Sequence, residues 1–270
     1  MKISFANIFT FFLLFQLSCK EKQTPKTNNV EVKDTVHVIN KEQEEAKKKA
    51  IFDSIGGTQK IEKLNKAIEK QFKYSKLNGC ILINQSGVDL IKECYGNTCL
   101  KCDGGELLTP FSVFQLASIS KTFTAIATLK LVEQEKLALN DSVQKFYPEF
   151  PYPGVIIEQL LSHRSGLPNY LYAFDDSSRT CKNPDNQKIM TWLAEAKPKR
   201  YNLPGKSFSY NNSNYAVLAA VIEKASGKKY TEYIHNAIFK PLKMNHTYVI
   251  NAIPDSVSKT VGHEWKRIKK

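Results

Sequence analysis

Two strand-forming runs followed by a long series of helical periods mark this chain as an α+β protein. Within NGCILINQSGVDLIKECYGN, residues 79 to 95 hold two apolar runs on either side of a Gln-Ser-Gly turn, the pattern of an antiparallel hairpin. Elsewhere apolar residues recur at three- and four-residue steps, the spacing of helices. With 270 residues, 42% of them hydrophobic, the chain can bury a sizeable core.

Taken in order, residues 1–19, MKISFANIFTFFLLFQLSC, have a short basic start, an apolar run and a terminal cysteine. That is the form of a secretory signal, and its QLSC ending is similar to a bacterial lipoprotein cleavage site with Cys19 as the lipid-bearing residue. Gln16 stands where such sites usually carry Leu, so the match is loose. The expectation is an exported protein of the bacterial cell envelope, facing the periplasm and held at the membrane by a lipid rather than a spanning helix.

Residues 20–58 are polar and rich in lysine and glutamate, and read as a tether with helical character around 41 to 53. The domain is expected over 59–270, opening on a helix with Ile61, Leu64, Ile68 and Phe72 on one face. After the hairpin and a Cys/Gly-rich loop, the first four turns of SISKTFTAIATLKLVEQEKLAL, from Ile119 to Val132, are apolar or small on nearly every side, which predicts a buried helix that turns polar from about Glu133. The stretch YPEFPYP punctuates the chain before a short helix in GVIIEQLLSH. A helix follows over 186 to 196. Another carries Tyr215, Leu218, Ile222 and Ala225 on one face and stops at Gly227, and a last one spans about 230 to 238.

The net charge is +13, which in the cytosol would raise nucleic acid as a partner. The lysines, however, are dispersed among glutamates, as in KEQEEAKKKA, and are not interleaved with stacking aromatics. Together with export, this excludes nucleic acid and suggests a solvated face. Besides Cys19 there are Cys80, Cys94, Cys99, Cys102 and Cys181. CYGNTCLKC hints at zinc but lacks a matching second ligand pair, so no metal is expected, and export favours one local disulfide within the cluster. The odd number leaves at least one thiol free or paired outside the chain.

Ser-x-x-Lys occurs at Ser118/Lys121, Ser142/Lys145, Ser226/Lys229 and Ser256/Lys259. Only Ser118 opens a helix expected to be buried, with Lys121 one turn on and on the same face. A helix N-terminus favours an oxyanion, and the Ser118 N–H can form half of an oxyanion hole. Downstream, Tyr210 and Asn212 in SYNNSN could shuttle the proton and orient a substrate amide. Read structurally, the same residues would be a helix cap, a snorkelling lysine and loop or cap residues.

The phrases FQLASISKTFTA, LLSHRSGLPNY, PGKSFSYNNSNYAVLAAVIEKASGKKYTEYI and IFKPLKMNHT occur in the order found in the serine β-lactamase family. Over about residues 60 to 250 the chain resembles its class C-like branch, with D-alanyl-D-alanine carboxypeptidases and related esterases. That resemblance implies Ser118 as acylated nucleophile, Lys121 as its partner, Tyr210 as general base or acid and Asn212 as amide-orienting residue. It implies structural places for His163 and Ser165, and no cofactor. The implied substrates are β-lactams, D-Ala-D-Ala peptides or small esters. The family's sheet takes two strands from near its N-terminus and three from its C-terminal end, one bearing Lys/His-Thr/Ser-Gly. Here only near misses occur, at Lys121, Lys206, His246 and Lys259, so those strands are expected to be absent and the domain incomplete. The alternative is a non-catalytic envelope lipoprotein that binds with the same scaffold.

Overall fold

A computed structural model describes residues 30–74, 77–100, 105–174, 184–254, 257 and 259–261. The expected leader with Cys19, and also Cys102, Cys181 and Ser256, lie outside the described residues. No described helix is long and apolar enough to cross a membrane.

The chain divides into two compact units. The first holds α1 (Val30–Ser54), most of α2 (Gly57–Tyr74) and the hairpin tip Ile83–Leu90. Ile61, Leu64 and Ile68 are half-buried while most of their neighbours on α2 are exposed, as an amphipathic period requires. Lys60 Nζ donates to Gln85 Oε1 at 2.9 Å.

Strands β1 (Gly79–Gln85) and β2 (Val88–Tyr95) form a two-stranded sheet, the one sheet among the described residues. Ser86 and Gly87 both have positive φ, 54° and 83°, giving the type I′ turn whose twist matches a right-twisted hairpin. Asn84 Oδ1 accepts the Gly87 N–H at 3.1 Å. At the open end Cys80 is bonded to Cys94, and Cys99 is disulfide-bonded as well. Cys94 therefore does not pair inside its own cluster, whereas the partner of Cys99 lies outside the described residues. Closing the hairpin brings the Cys80 and Cys94 Cα atoms within 3.9 Å, which no spacing rule inside the cluster could reveal.

The second unit is a helical core around α7 (Asn212–Ser226), which packs against α3 (Ser120–Glu133), α4 (Ile157–Leu161), α6 (Asn186–Ala196) and α8 (Tyr230–Ile234). A one-turn helix, α5 (Leu171–Phe174), lies between α4 and α6, and α8 continues as a π-type turn over His235–Phe239. Every residue from Ala216 to Ile222 is buried. Ala216, Ala219 and Ala220 are small enough for neighbouring elements to approach on all sides.

On α3 the expectation of full burial fails. Thr124, Ala127, Thr128 and Leu131 are buried, but Ile126 is 41% and Leu129 49% exposed. An all-round apolar sequence permits burial; here neighbours cover one face only among the described residues. The YPEFPYP stretch carries more than punctuation, since Tyr147, Phe150 and Tyr152 are all core residues. The Tyr147 hydroxyl donates to the Ala220 carbonyl at 3.1 Å, and burial pushes it up to about 12.

Candidate active site

Ser118 sits in a 3₁₀ turn, Ala117–Ile119, that leads directly into α3. Ala117 has φ 46°, a left-handed conformation that costs a residue bearing Cβ about 1–2 kcal/mol. Residues 114 to 120 are all exposed. Lys121, on the first turn of α3, is half-buried and donates to Ser118 Oγ at 3.1 Å and to Asn212 Oδ1 at 2.7 Å.

The other side is built by a strap. Residues 201–211 run back along 163–167, with Tyr201 N–H to Gly166 O, Gly205 N–H to Arg164 O and Ser209 N–H to His163 O, each at 2.8 Å. A Cβ on Gly166 would stand 2.1 Å from Asn202 O, so this crossing requires glycine. Asn211 then caps α7 by accepting the Ser213 N–H at 2.8 Å. These contacts place Tyr210 just before α7 and Asn212 at its first turn.

Tyr210 OH donates to Ser118 Oγ at 2.7 Å, and the Lys121 ammonium lies 5.0 Å from the Tyr210 ring centre. Its interaction with Lys121 first, and its hydrogen bond with Ser118 second, hold the phenol below its ordinary 10. Of the three Ser-x-x-Lys copies among the described residues, only Ser118/Lys121 is joined to a tyrosine and an asparagine in this way. In the second copy Ser142 caps a 3₁₀ turn and Lys145 pairs with Asp141 at 2.8 Å.

Behind the cluster is a buried polar group that the motif search treated as scaffold. His163 Nδ1 accepts the Asn211 N–H at 3.2 Å and faces the Asn214 amide nitrogen at 3.0 Å. Asn214 Oδ1 accepts from Ser165 Oγ in a short bond. His163, Ser165, Asn211 and Asn214 are all buried. The imidazole lies against the Tyr210 ring, centroids 4.5 Å apart. A signal was present in the sequence: both phrases crowd small polar residues beside apolar runs, the composition of a buried hydrogen-bonded layer.

A cavity of about 630 Å³ borders Ala117 and Ser120, lined also by Phe114, Leu116, Phe123 and Phe239. Lys259 and Thr260 reach its wall, and Thr260 N–H donates to Val113 O at 3.0 Å. This near miss of the third family element is thus tied to residue 113. No group of three or more His, Cys, Asp or Glu side chains fit to hold a metal exists among the described residues.

A model of the beta-lactamase family matches residues 98–267. Penicillin-binding protein 4* of Bacillus subtilis (strain 168) is 38% identical over 176 residues, covering 65% of this chain and 39% of the relative. Protein flp of Staphylococcus aureus (strain N315) is 31% identical over 210 residues, covering 75% and 41%. Among solved structures, FmtA from Staphylococcus aureus is 30% identical with a TM-score of 0.55, over 67% of this chain and 49% of that one. The octameric penicillin-binding protein homologue from Pyrococcus abyssi is also 30% identical, with a TM-score of 0.59 over 68% and 43%. The chain spans about two fifths of the length of the curated relatives it matches. Because the matched stretch holds Ser118, Lys121, Tyr210 and Asn212 alike, and the helical fold agrees with that of penicillin-binding homologues, the chain belongs to the beta-lactamase family.

Proposed function

We propose that this chain performs acyl transfer as a serine hydrolase, with Ser118 as the nucleophile. One observation carries the reading: Ser118 Oγ accepts hydrogen bonds from both Lys121 and Tyr210, and Lys121 is itself held by Asn212. With Tyr210 ionised beside the Lys121 ammonium, the Ser118 proton passes to the phenolate while Oγ attacks the substrate carbonyl carbon. The oxyanion forms at the start of α3, where the Ser118 N–H can donate. Tyr210 then returns the proton to the departing amine or alcohol, leaving an ester on Ser118. Water, giving its proton to the same tyrosine, attacks that ester; as the carboxylic acid leaves, Tyr210 passes the proton to the departing Ser118 Oγ and the free hydroxyl is restored.

The substrate class is an amide, β-lactam or ester, with D-Ala-D-Ala peptides included, and Asn212 orients its amide. The reading extends to export and anchoring in the envelope through Cys19, supported by the apolar run before QLSC in the sequence. Loss of a metabolic fatty-acyl label in Cys19→Ala tests that part; an unlabelled wild type refutes it. A non-catalytic binding lipoprotein is the second reading, favoured by the exposure of residues 114 to 120.

Intact mass spectrometry after treatment with a fluorescent penicillin and with a fluorophosphonate decides between them. The expected outcome is an adduct on the wild type and none on Ser118→Ala. No Ser118-dependent adduct from either probe favours the binding reading.

A further inference from the structure

We propose that His163 is a positioning residue for this site: its unprotonated Nδ1 and its ring hold Tyr210 and Asn212 where they reach Ser118 and Lys121. The inference rests on the acyl-transfer reading above and adds to it a residue outside both short motifs.

Three observations carry it. First, Nδ1 faces two donors, the Asn211 N–H at 3.2 Å and the Asn214 amide at 3.0 Å. The Asn211 backbone N–H can only donate, which fixes Nδ1 as the acceptor, and Asn214 presents its amide nitrogen to the ring while its Oδ1 takes the Ser165 hydroxyl. An Nδ1 proton would therefore meet two donors and no acceptor, so the imidazole is neutral and carries its proton on Nε2. Second, the bonded amide belongs to the residue between Tyr210 and Asn212, and the ring backs the Tyr210 ring at 4.5 Å. Loss of either contact moves both functional side chains together. Third, His163 has φ 56°, a conformation that glycine or asparagine would adopt more cheaply. A bulky side chain kept in the left-handed region at the end of α4 points to use of that side chain.

The titratable groups facing the imidazole are Lys121 from α3, Tyr210 from the strap and Tyr215 from α7, and its sequence neighbour Arg164 is exposed. Burial first and the Lys121 charge second disfavour a proton on the ring, and the Asn211 hydrogen bond acts in the opposite sense.

Three readouts test the proposal on the full chain. In ¹⁵N NMR of the wild type, Nδ1 should carry the signal of an unprotonated nitrogen and Nε2 that of N–H at neutral pH. The reverse tautomer, or a charged ring, overturns the proposal. Ultraviolet difference titration against Tyr210→Phe should show Tyr210 ionising below 10 in the wild type and in His163→Asn, whose amide oxygen can still accept the Asn211 N–H. In His163→Ala it should move up toward 10; an unchanged titration overturns the proposal. Adduct formation on Ser118 should fall about 10²-fold in His163→Ala, the scale of an ångström-sized misplacement, and recover in His163→Asn. Equal rates in all three proteins overturn it. If His163→Ala does not fold, the wild-type spectrum and the asparagine variant still decide. If the wild type forms no adduct, the acyl-transfer reading fails, while the two spectroscopic readouts judge His163 separately.

Discussion

The two halves of the site are held by different physics. The Tyr210–Asn212 half rests on a buried layer in which Ser165, Asn211, Ser213 and Asn214 are at most 2% exposed and bonded to one another or to backbone. The Ser118 half is an exposed turn with Ile119 at 62% exposure, kept in place by a left-handed Ala117 and by what Lys121 reaches across the site. One half is positioned by packing that exists without the other. The second half depends on side-chain hydrogen bonds to the first. Removing the bridging groups should therefore damage chemistry more than stability, and removing core groups should do the reverse.

The largest expected effect breaks the bridge. Tyr210→Phe leaves the aromatic packing but removes the proton shuttle, and Ser118 adduct formation should slow by about 10²–10⁴-fold with little change in thermal unfolding. A wild-type labelling rate would show that the packed half takes no part in the chemistry. Next is Leu131→Ala. Its side chain is fully buried on α3, and truncation should cost about 2–5 kcal/mol in denaturant unfolding. A smaller effect comes from His163. Its proton affinity is depressed below the ordinary 6.5, so the unfolded chain binds that proton more readily. The neutral imidazole's stabilisation is complete above about 6.5 and is lost as pH falls from there toward the folded-state value. Unfolding curves on either side of 6.5 should show this loss, with a weaker pH dependence in His163→Asn; equal dependence would place the titration elsewhere. The smallest effect is Leu129→Ala, two residues from Leu131 but 49% exposed, expected within about 0.5 kcal/mol of wild type. A large destabilisation there would mean that the apolar face of α3 is covered in solution, erasing the contrast between the halves.

Much of the local structure was legible in the chain. Residues 186 to 196 form a helix with the expected limits, and α7 ends at Gly227 as its stop signal implied. The Gln-Ser-Gly turn closes the hairpin. These features depend on neighbours in sequence: caps, turn residues and apolar periods act over a few residues. The same short range is why Ser118 and Lys121 could be singled out as a pair on one helical face. Placing Tyr210 and Asn212 beside them drew on the order of longer phrases, because no local rule joins residues about ninety positions apart.

Other features were decided only when the chain closed on itself. An apolar surround on α3 said that the helix could be buried, whereas α7, read as one-faced, is the helix enclosed along its middle. The disulfide partner of Cys94 followed from the closing of the hairpin, and the burial of Tyr147, Phe150 and Tyr152 from elements far along the chain. His163 looked like scaffold in its phrase; its place beneath Tyr210 exists because the 201–211 strap returns across residues 163–167. Sequence thus determined which segments fold into which elements and which residue types were available for acyl transfer. Tertiary structure decided which faces are covered and which polar groups meet, because burial and hydrogen-bond partnership depend on distant neighbours and local periodicity does not.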